Sequence, residues 1–144
     1  ILSTNEDDID QYLFLCMSYI VEPYLVEFAE PVFIYDFPAS QAALAKVKNG
    51  VAERFEVYFK GVELANGFSE LTDADLQLER FQKDNQIRFT KGLKPRKIDE
   101  NFMQALKHGL PECSGVALGI DRLLALLMAK PAIAKVVAFP VDNA

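Results

Sequence analysis

Acidic side chains stand at regular intervals in one alternating segment, and their spacing suits a site that binds a metal together with phosphate. Residues 54–65 form two alternating runs that meet at Lys60-Gly61, which predicts a β-hairpin with a two-residue turn. The resulting register pairs Glu56 with Ala65 and sets Glu63 diagonally across from Glu56 on the same face, about 7 Å away at the backbone. Two carboxylates at that separation repel each other unless a cation lies between them. A Mg²⁺ ion that also binds nucleotide phosphates would supply that charge, whereas solvated carboxylates paired with neighbouring basic residues are the alternative.

The two faces of this predicted hairpin differ in polarity. Tyr58 and Ala65 share the face of the two acids, which we expect to be open. The opposite face is wholly apolar, which predicts that it is the core side of the sheet. That face is formed by Phe55, Val57, Phe59, Val62 and Leu64.

A third acid follows the hairpin. Asn66-Gly67 predicts a break in the second strand and a tight bend that returns Glu70 to the open face. Glu70 has no nearby partner in the sequence, so a cationic ligand such as an amine matches its charge. The alternative is a carboxylate at a helix start, because Thr72-x-x-Asp75 resembles a capping box.

Residues 114–128 contain the other group with chemical potential. A run of small and β-branched residues leads into Gly119, and Arg122 precedes a leucine-rich segment, which predicts a buried strand that turns into a buried helix. Gly119 allows close approach of the backbone to a ligand, and Arg122 is a planar charged fork at a position where a phosphate or purine fits. An internal ion pair of Arg122 at a strand-helix junction is an equal alternative.

The elements that must position these residues are typical of an α+β fold, with a mostly antiparallel sheet flanked by helices. The predicted strands cover residues 32–37, 54–65, 115–118 and 135–139, and the predicted helices cover residues 9–22, weakly 41–48, 73–88 and a short segment after Asp99. We expect one core for these 144 residues, of which 51% are hydrophobic.

Composition limits the classes of function. A net charge of −6 and a pI near 4.8 disfavour broad capture of nucleic acid, although residues 91–97 form a local basic loop. No signal peptide or membrane span is predicted. Two cysteines, Cys16 and Cys113, lack metal-ligand spacing, which indicates two reduced, buried thiols in a cytoplasmic protein. The chain begins at Ile1, and we expect a piece of a longer protein.

Residues 63–71 (ELANGFSEL) and 115–123 (GVALGIDRL) closely resemble the C-terminal catalytic half of class II lysyl-tRNA synthetases, in which the second block is motif 3. The resemblance runs from about Val32 to Phe139. Residues 37–42 and 113–119 resemble a paralogue group of these synthetases that modifies translation elongation factor P. Lysyl-tRNA synthetases usually have Gly where Ala65 and Ala117 stand, and the added methyl groups would reshape the amino-acid pocket.

This resemblance implies that residues 1–144 are the C-terminal part of a class II synthetase-like catalytic domain that uses ATP and Mg²⁺. It implies metal binding by Glu56 and Glu63, and a catalytic role for Arg122 and Glu63. The implied ATP contacts are Glu63, Leu64, Gly119 and Arg122, and the implied amino-acid contacts are Ala65, Asn66, Glu70 and Ala117.

The implied reaction joins the carboxylate of a lysine, with (R)-β-lysine the expected donor, to the α-phosphate of ATP and passes the acyl group to a lysine of elongation factor P. The resemblance also implies a homodimeric parent and no tRNA acceptor. Motifs 1 and 2 of the family are not found in these residues, so we expect the isolated chain to be inactive. A fragment of a true lysyl-tRNA synthetase and a catalytically silent synthetase-like binding module remain as alternatives.

Overall fold

The computed structural model describes residues 9–140 of the chain, and the helix predicted over residues 9–22 lies within them. The α-helices are α1 (Ile9–Cys16), α2 (Glu22–Leu25), α3 (Ala74–Thr90), α4 (Glu100–His108) and α5 (Ile120–Leu127). A π-helical segment, Met17–Val21, joins α1 to α2. The strands are β1 (Val32–Pro38), β2 (Val47–Lys48), β3 (Val51–Phe59), β4 (Val62–Ser69) and β5 (Ser114–Leu118).

The strands form one antiparallel sheet in the order β1-β3-β4-β5, and the short β2 pairs with the start of β3. The prediction of an α+β fold with a mostly antiparallel sheet is therefore confirmed. Two predicted elements are wrong. Residues 41–48 contain the end of a 3-10 turn and β2 instead of a helix. Residues 135–139 do not form a strand, because the chain closes short-range hydrogen bonds from Val136 and Val137 to the Ile133 carbonyl.

The hairpin turn is at Lys60-Gly61, as predicted, and both residues have positive φ (50° and 73°), which suits a tight two-residue turn. The register departs from the prediction one step further on. Tyr58 pairs with Glu63, but Val57 pairs with Ala65, so Leu64 is an extra residue in a β-bulge. Glu56 therefore lies opposite Asn66, and the predicted pairing of Glu56 with Ala65 is wrong.

The core lies on the face of the sheet that carries Glu56, which reverses the prediction. Glu56 is 7% exposed and Tyr58 is 5% exposed, whereas Phe33 and Tyr35 on the other face are 59% and 68% exposed. The residues that pack on the Glu56 face are Ile34, Phe37, Ala42, Ala45, Ala52 and Phe68. The residues of 39–45 thus cover a face that hydrophobic patterning assigns to solvent.

Residues 114–128 are not the buried strand and helix that their composition predicts. β5 pairs only with β4 among the described strands. Val116 and Leu118 are exposed, as are Ile120 and Leu127 at the two ends of α5. Ala125 is the residue of α5 that is buried. Within residues 9–140, no helix or strand packs over these apolar side chains.

Side-chain caps fix the starts of α3 and α4. Asp73 accepts hydrogen bonds from the backbone N–H groups of the first turn of α3, and Asp99 does the same for α4. The predicted capping box at Thr72 is thus replaced by Asp73, a stronger cap than Thr. Arg80 ties α3 to the segment that covers the sheet, because it donates to the carbonyl oxygens of Ala43 and Ala45.

Candidate functional site

The candidate site occupies one face of β3, β4 and β5. It contains the predicted carboxylates and residues of the segment around Arg122. Because of the bulge, Asn66 lies beside Glu56 on this face, and its partner on β5 is Ala117. We call this set the polar face: Arg54, Glu56, Tyr58, Glu63, Asn66, Phe68, Glu70, Gly115, Ala117 and Arg122.

Glu56 is held by hydrogen bonds from three side chains. The guanidinium of Arg54 donates from Nη2 to Glu56 Oε1, and Asn66 Nδ2 donates to the same oxygen at 3.2 Å. The hydroxyl of Tyr58 donates to Oε2 at 2.9 Å. A buried carboxylate is stable only when it is paired and hydrogen-bonded in this way. The network therefore fixes the position of one candidate metal ligand.

Arg54 and Tyr58 have larger roles than the sequence indicates. Arg54 appears there only as a basic neighbour of the acids, and Tyr58 only as a residue on the same face. In the structure, burial and the adjacent Glu56 carboxylate raise the pKa of the Tyr58 hydroxyl well above its ordinary value. The signal in the sequence is the Arg-x-Glu-x-Tyr spacing, which puts all three side chains on one face of a strand.

Arg122 lies at the first turn of α5 and contacts Glu63 directly. Its Nη1 donates to the Glu63 carbonyl oxygen at 2.8 Å and lies 3.5 Å from Glu63 Oε2. The two charged groups thus form an ion pair. Both side chains are substantially exposed, so the ion pair is weak and can exchange for a phosphate ligand.

Gly119 supports Arg122. A Cβ at this position would lie 3.3 Å from Arg122 Cδ, so the missing side chain makes room for the arginine stem. The Gly119 N–H donates to the Leu64 carbonyl at 2.8 Å, and the Gly119 carbonyl accepts from Leu123 N at 2.9 Å. These bonds lock the β5–α5 turn onto the bulge. Because the Gly119 N–H is already bonded, it is not free to bind a nucleotide. Gly119 can contribute only by letting a ligand come close to the backbone.

Glu70 extends the polar face beyond the end of β4. The strand runs through Asn66 and Gly67 to Ser69 without the predicted break, and Glu70 bridges to Ala45. The Glu70 carboxylate lies over the backbone of Gly115, because a Cβ there would overlap Glu70 Oε1. Gly115 is thus a site residue that was not singled out from the sequence. An isolated Gly inside a strand is the signal that would have found it.

The two alanines lie on opposite faces. Ala117 pairs with Asn66 and belongs to the polar face. Ala65 pairs with Val57 and Leu118 and points to the other side of the sheet. The expectation that the methyl groups of both line one pocket is therefore wrong for Ala65, and the cause is the bulge at Leu64.

Glu56 and Glu63 lie on one face of the paired strands β3 and β4, and they are the carboxylates at which the sequence predicts a Mg²⁺ ion. Residues 9–140 contain no group of three or more His, Cys, Asp or Glu side chains placed to hold a metal ion. Mg²⁺ commonly takes only one or two protein carboxylates and completes its octahedron with phosphate oxygens and waters. Glu56 Oε1 already accepts two hydrogen bonds and Oε2 accepts one, so the capacity of Glu56 for a metal is on Oε2.

The antiparallel sheet and this polar face occur in a protein of a defined class. The model of the family described as tRNA synthetases class II (D, K and N) matches residues 21–143, so the chain belongs to that family. The resemblance seen in residues 63–71 and 115–123 is thereby confirmed.

Curated relatives make the likeness more specific. A protein of Hamiltonella defensa subsp. Acyrthosiphon pisum is 57% identical over 146 aligned residues, which cover 99% of this chain and 45% of the relative. Relatives from Yersinia enterocolitica and Pectobacterium atrosepticum are 53% and 51% identical with the same coverage. All three are named "Elongation factor P--(R)-beta-lysine ligase". The chain therefore spans a little under half of the length of the relatives it matches.

None of the helices described within residues 9–140 is both long enough and apolar enough to cross a membrane. Within the same residues, Cys16 and Cys113 are free thiols, but Cys16 is exposed and Cys113 is half-buried, so the prediction that both are buried is wrong.

Proposed function

We propose that the protein to which these residues belong uses ATP to activate a lysine, with (R)-β-lysine preferred, and transfers it to a lysine side chain of elongation factor P. The names of relatives at 51–57% identity support the substrate and the acceptor. A cytoplasmic location, a homodimeric parent and the exclusion of tRNA as acceptor belong to the same proposal.

The observation that carries the proposal is the order of groups along the polar face. Arg122 and Glu63 lie at one end, Asn66 and Ala117 in the middle, and Glu70 at the other end, over Gly115. This order matches an amino acid whose carboxylate meets the nucleotide near Asn66 and whose distal amine meets Glu70.

The spacing suits a lysine chain. Gly115 and Ala117 are two residues apart on β5, which corresponds to roughly 7 Å. An extended lysine side chain spans roughly 6 Å from Cα to its amine, from standard bond lengths. The Glu70 carboxylate thus lies at about the correct distance to receive the distal amine of a substrate whose carboxylate is near Asn66.

Ala117 lies where the two candidate substrates differ. L-lysine and (R)-β-lysine have the same distance between carboxylate and distal amine, and they differ in whether the second amine is on the first or the second carbon from the carboxylate. A methyl group beside Asn66 acts on that end of the substrate. A pocket methyl discriminates between such isomers by about 1 to 3 kcal/mol.

In the first step, a carboxylate oxygen of the amino acid bonds to the α-phosphorus of ATP, and pyrophosphate leaves with the electron pair of the broken P–O bond. Arg122 neutralises charge on the phosphates, and Asn66, oriented by Arg54 and Glu56, retains one free N–H for the substrate carboxylate. Mg²⁺ held by Glu56 and Glu63 would add further charge neutralisation.

In the second step, the amine nitrogen of the acceptor lysine bonds to the acyl carbon, AMP leaves, and the amine loses a proton to give an amide. The polar face orients both reactants, and no covalent enzyme nucleophile is needed.

A full-length protein that carries these 144 residues tests the proposal. It is given ATP, either (R)-β-lysine or L-lysine, and either elongation factor P or lysine tRNA, and labelling of each acceptor is measured. We expect labelling of elongation factor P with (R)-β-lysine. Labelling of tRNA alone would favour a true lysyl-tRNA synthetase, against which Ala117 argues. Absence of adenylate with both amino acids would favour a silent binding module, against which Glu63, Glu70 and Arg122 argue.

A further inference from the structure

Arg54 contacts Glu56, Asn66 and Phe68 on the polar face. Its side chain is 16% exposed and its guanidinium stacks on the ring of Phe37, with 4.3 Å from Cζ to the ring centroid. The ring of Phe68, its cross-strand partner on β4, lies 5.9 Å away. Stacking between a guanidinium and aromatic rings holds the plane of the guanidinium in one orientation.

The donors of this fixed plane reach three different segments. Nη1 donates to the Gln41 carbonyl at 3.0 Å, Nη2 donates to Glu56 Oε1, and Nε donates to Asn66 Oδ1 at 3.3 Å. One rigid group thus binds the candidate metal ligand and the candidate substrate ligand at the same time. A lysine in its place would have a flexible point charge and could not reproduce this fork.

The bond to Asn66 also determines which way its amide points. Because Arg54 can only donate, Asn66 must present Oδ1 to it, and the amide nitrogen then faces Glu56 and the substrate side. The orientation of Asn66 therefore depends on Arg54.

We infer that Arg54 is a positioning residue that holds both Glu56 and Asn66 in place. The metal-nucleotide half and the amino-acid half of the site therefore depend on one side chain that touches neither ligand. The inference rests on the proposed function for the identity of the two ligands. It assigns Arg54 no contact with substrate, and Phe37 acts only by supporting it.

The test uses the full-length protein and the variant Arg54→Lys. Arg80→Lys is the matched control, since Arg80 is also partly buried and donates two hydrogen bonds, but only to the carbonyl oxygens of Ala43 and Ala45. Tyr58→Phe is a second comparison, because it removes one hydrogen bond from Glu56 and none from Asn66. Three quantities are measured: the affinity for (R)-β-lysine by calorimetry without nucleotide or metal, the Mg²⁺ concentration for half-maximal ATP binding, and the melting temperature.

For Arg54→Lys we expect both the amino-acid dissociation constant and the Mg²⁺ requirement to rise about tenfold, as for misplaced site groups. Arg80→Lys should lower the melting temperature and leave both binding quantities within twofold of the parent. Tyr58→Phe should raise the Mg²⁺ requirement alone. Where Arg54→Lys fails to fold, Phe37→Leu removes the stacked ring, and both binding quantities should rise by a smaller factor.

Arg54→Lys with a lowered melting temperature and unchanged binding would reduce Arg54 to a structural residue and overturn the inference. Unchanged binding in Phe37→Leu would do the same where Arg54→Lys does not fold. A parent protein that binds ATP but neither lysine isomer would overturn the proposed function, which separates the two failures.

Discussion

Gly115→Ala tests whether the placement of the Glu70 carboxylate controls recognition of the distal amine. A Cβ on Gly115 would overlap Glu70 Oε1 and lie 3.5 Å from Glu70 Cδ. Gly115 is not one of the positive-φ glycines, so its backbone accepts alanine without strain. The added methyl group must therefore move the Glu70 carboxylate and not the strand.

The magnitude follows from that displacement. The carboxylate must shift by roughly 1 Å to restore van der Waals contact, and a misplacement of about 1 Å at a site group costs about 100-fold in rate. This corresponds to about 2.7 kcal/mol of transition-state stabilisation. We expect the loss in kcat/KM for the amino acid, with little change in KM for ATP, since Arg122 and Glu63 lie at the other end of the polar face.

Pyrophosphate exchange driven by (R)-β-lysine measures this loss in the full-length protein, with Ser114→Ala as the control in the same strand. A second variant sharpens the test. Glu70→Asp shortens the acid by one methylene, so it should reduce activity strongly in the parent and much less in the Gly115→Ala background. Full activity of Gly115→Ala, or equal costs of Glu70→Asp in both backgrounds, would refute the reasoning.

The remaining predictions concern selectivity, pH and stability. Ala117→Gly should raise kcat/KM for L-lysine relative to (R)-β-lysine by about tenfold or more. Ala65→Gly, on the opposite face, should leave this ratio unchanged. An unchanged ratio in Ala117→Gly as well would show that Ala117 does not set selectivity. Because the folded pKa of Tyr58 lies above its ordinary value of 10.0, its contribution to stability is full below pH 10 and is lost as pH rises further. Tyr58→Phe should flatten this alkaline fall in the free energy of urea unfolding, and identical slopes would contradict the assignment. Asp99→Ala should lower that free energy by about 1 kcal/mol through loss of the α4 cap, while Asp99→Asn should retain most of it; equal values for the two variants would contradict the capping role.

Local patterns predict the hairpin turn and the start of α4 at Asp99, because neighbouring residues determine them. The alternation on both sides of Lys60-Gly61 sufficed for β3, β4 and the pairing of Tyr58 with Glu63. The bulge escaped prediction because Leu64 is apolar and fits the alternation whether or not it is paired. A register that changes within a strand leaves no mark on the local pattern.

The prediction of the core side failed for a different reason. Hydrophobic patterning assigned Glu56 to solvent, but its burial comes from contacts with Arg54 and Asn66, and from the cover supplied by residues 39–45. The contact with Arg54 is local in the sequence, whereas Asn66 and residues 39–45 belong to other segments of the chain. The exposure of β5 and α5 likewise depends on what packs over them, and apolar composition does not show whether that partner is within the same segment.

The bulge at Leu64 shifts the alternation of side chains along β4 by one residue. Before the bulge, the odd-numbered residue Glu63 faces the candidate nucleotide groups, and after it the even-numbered residues Asn66 and Phe68 face the same way. A regular ladder that also paired Leu64 would turn Asn66 and Phe68, and Glu70 after them, to the reverse side of the sheet. Deletion of Leu64 would remove the bulge and leave Glu63 and Asn66 on one face, opposite Tyr58 and Glu56. A larger or smaller side chain at position 64 keeps the two halves of the site on one surface, because the pairing of β3 with β4 and not the size of that side chain sets the direction.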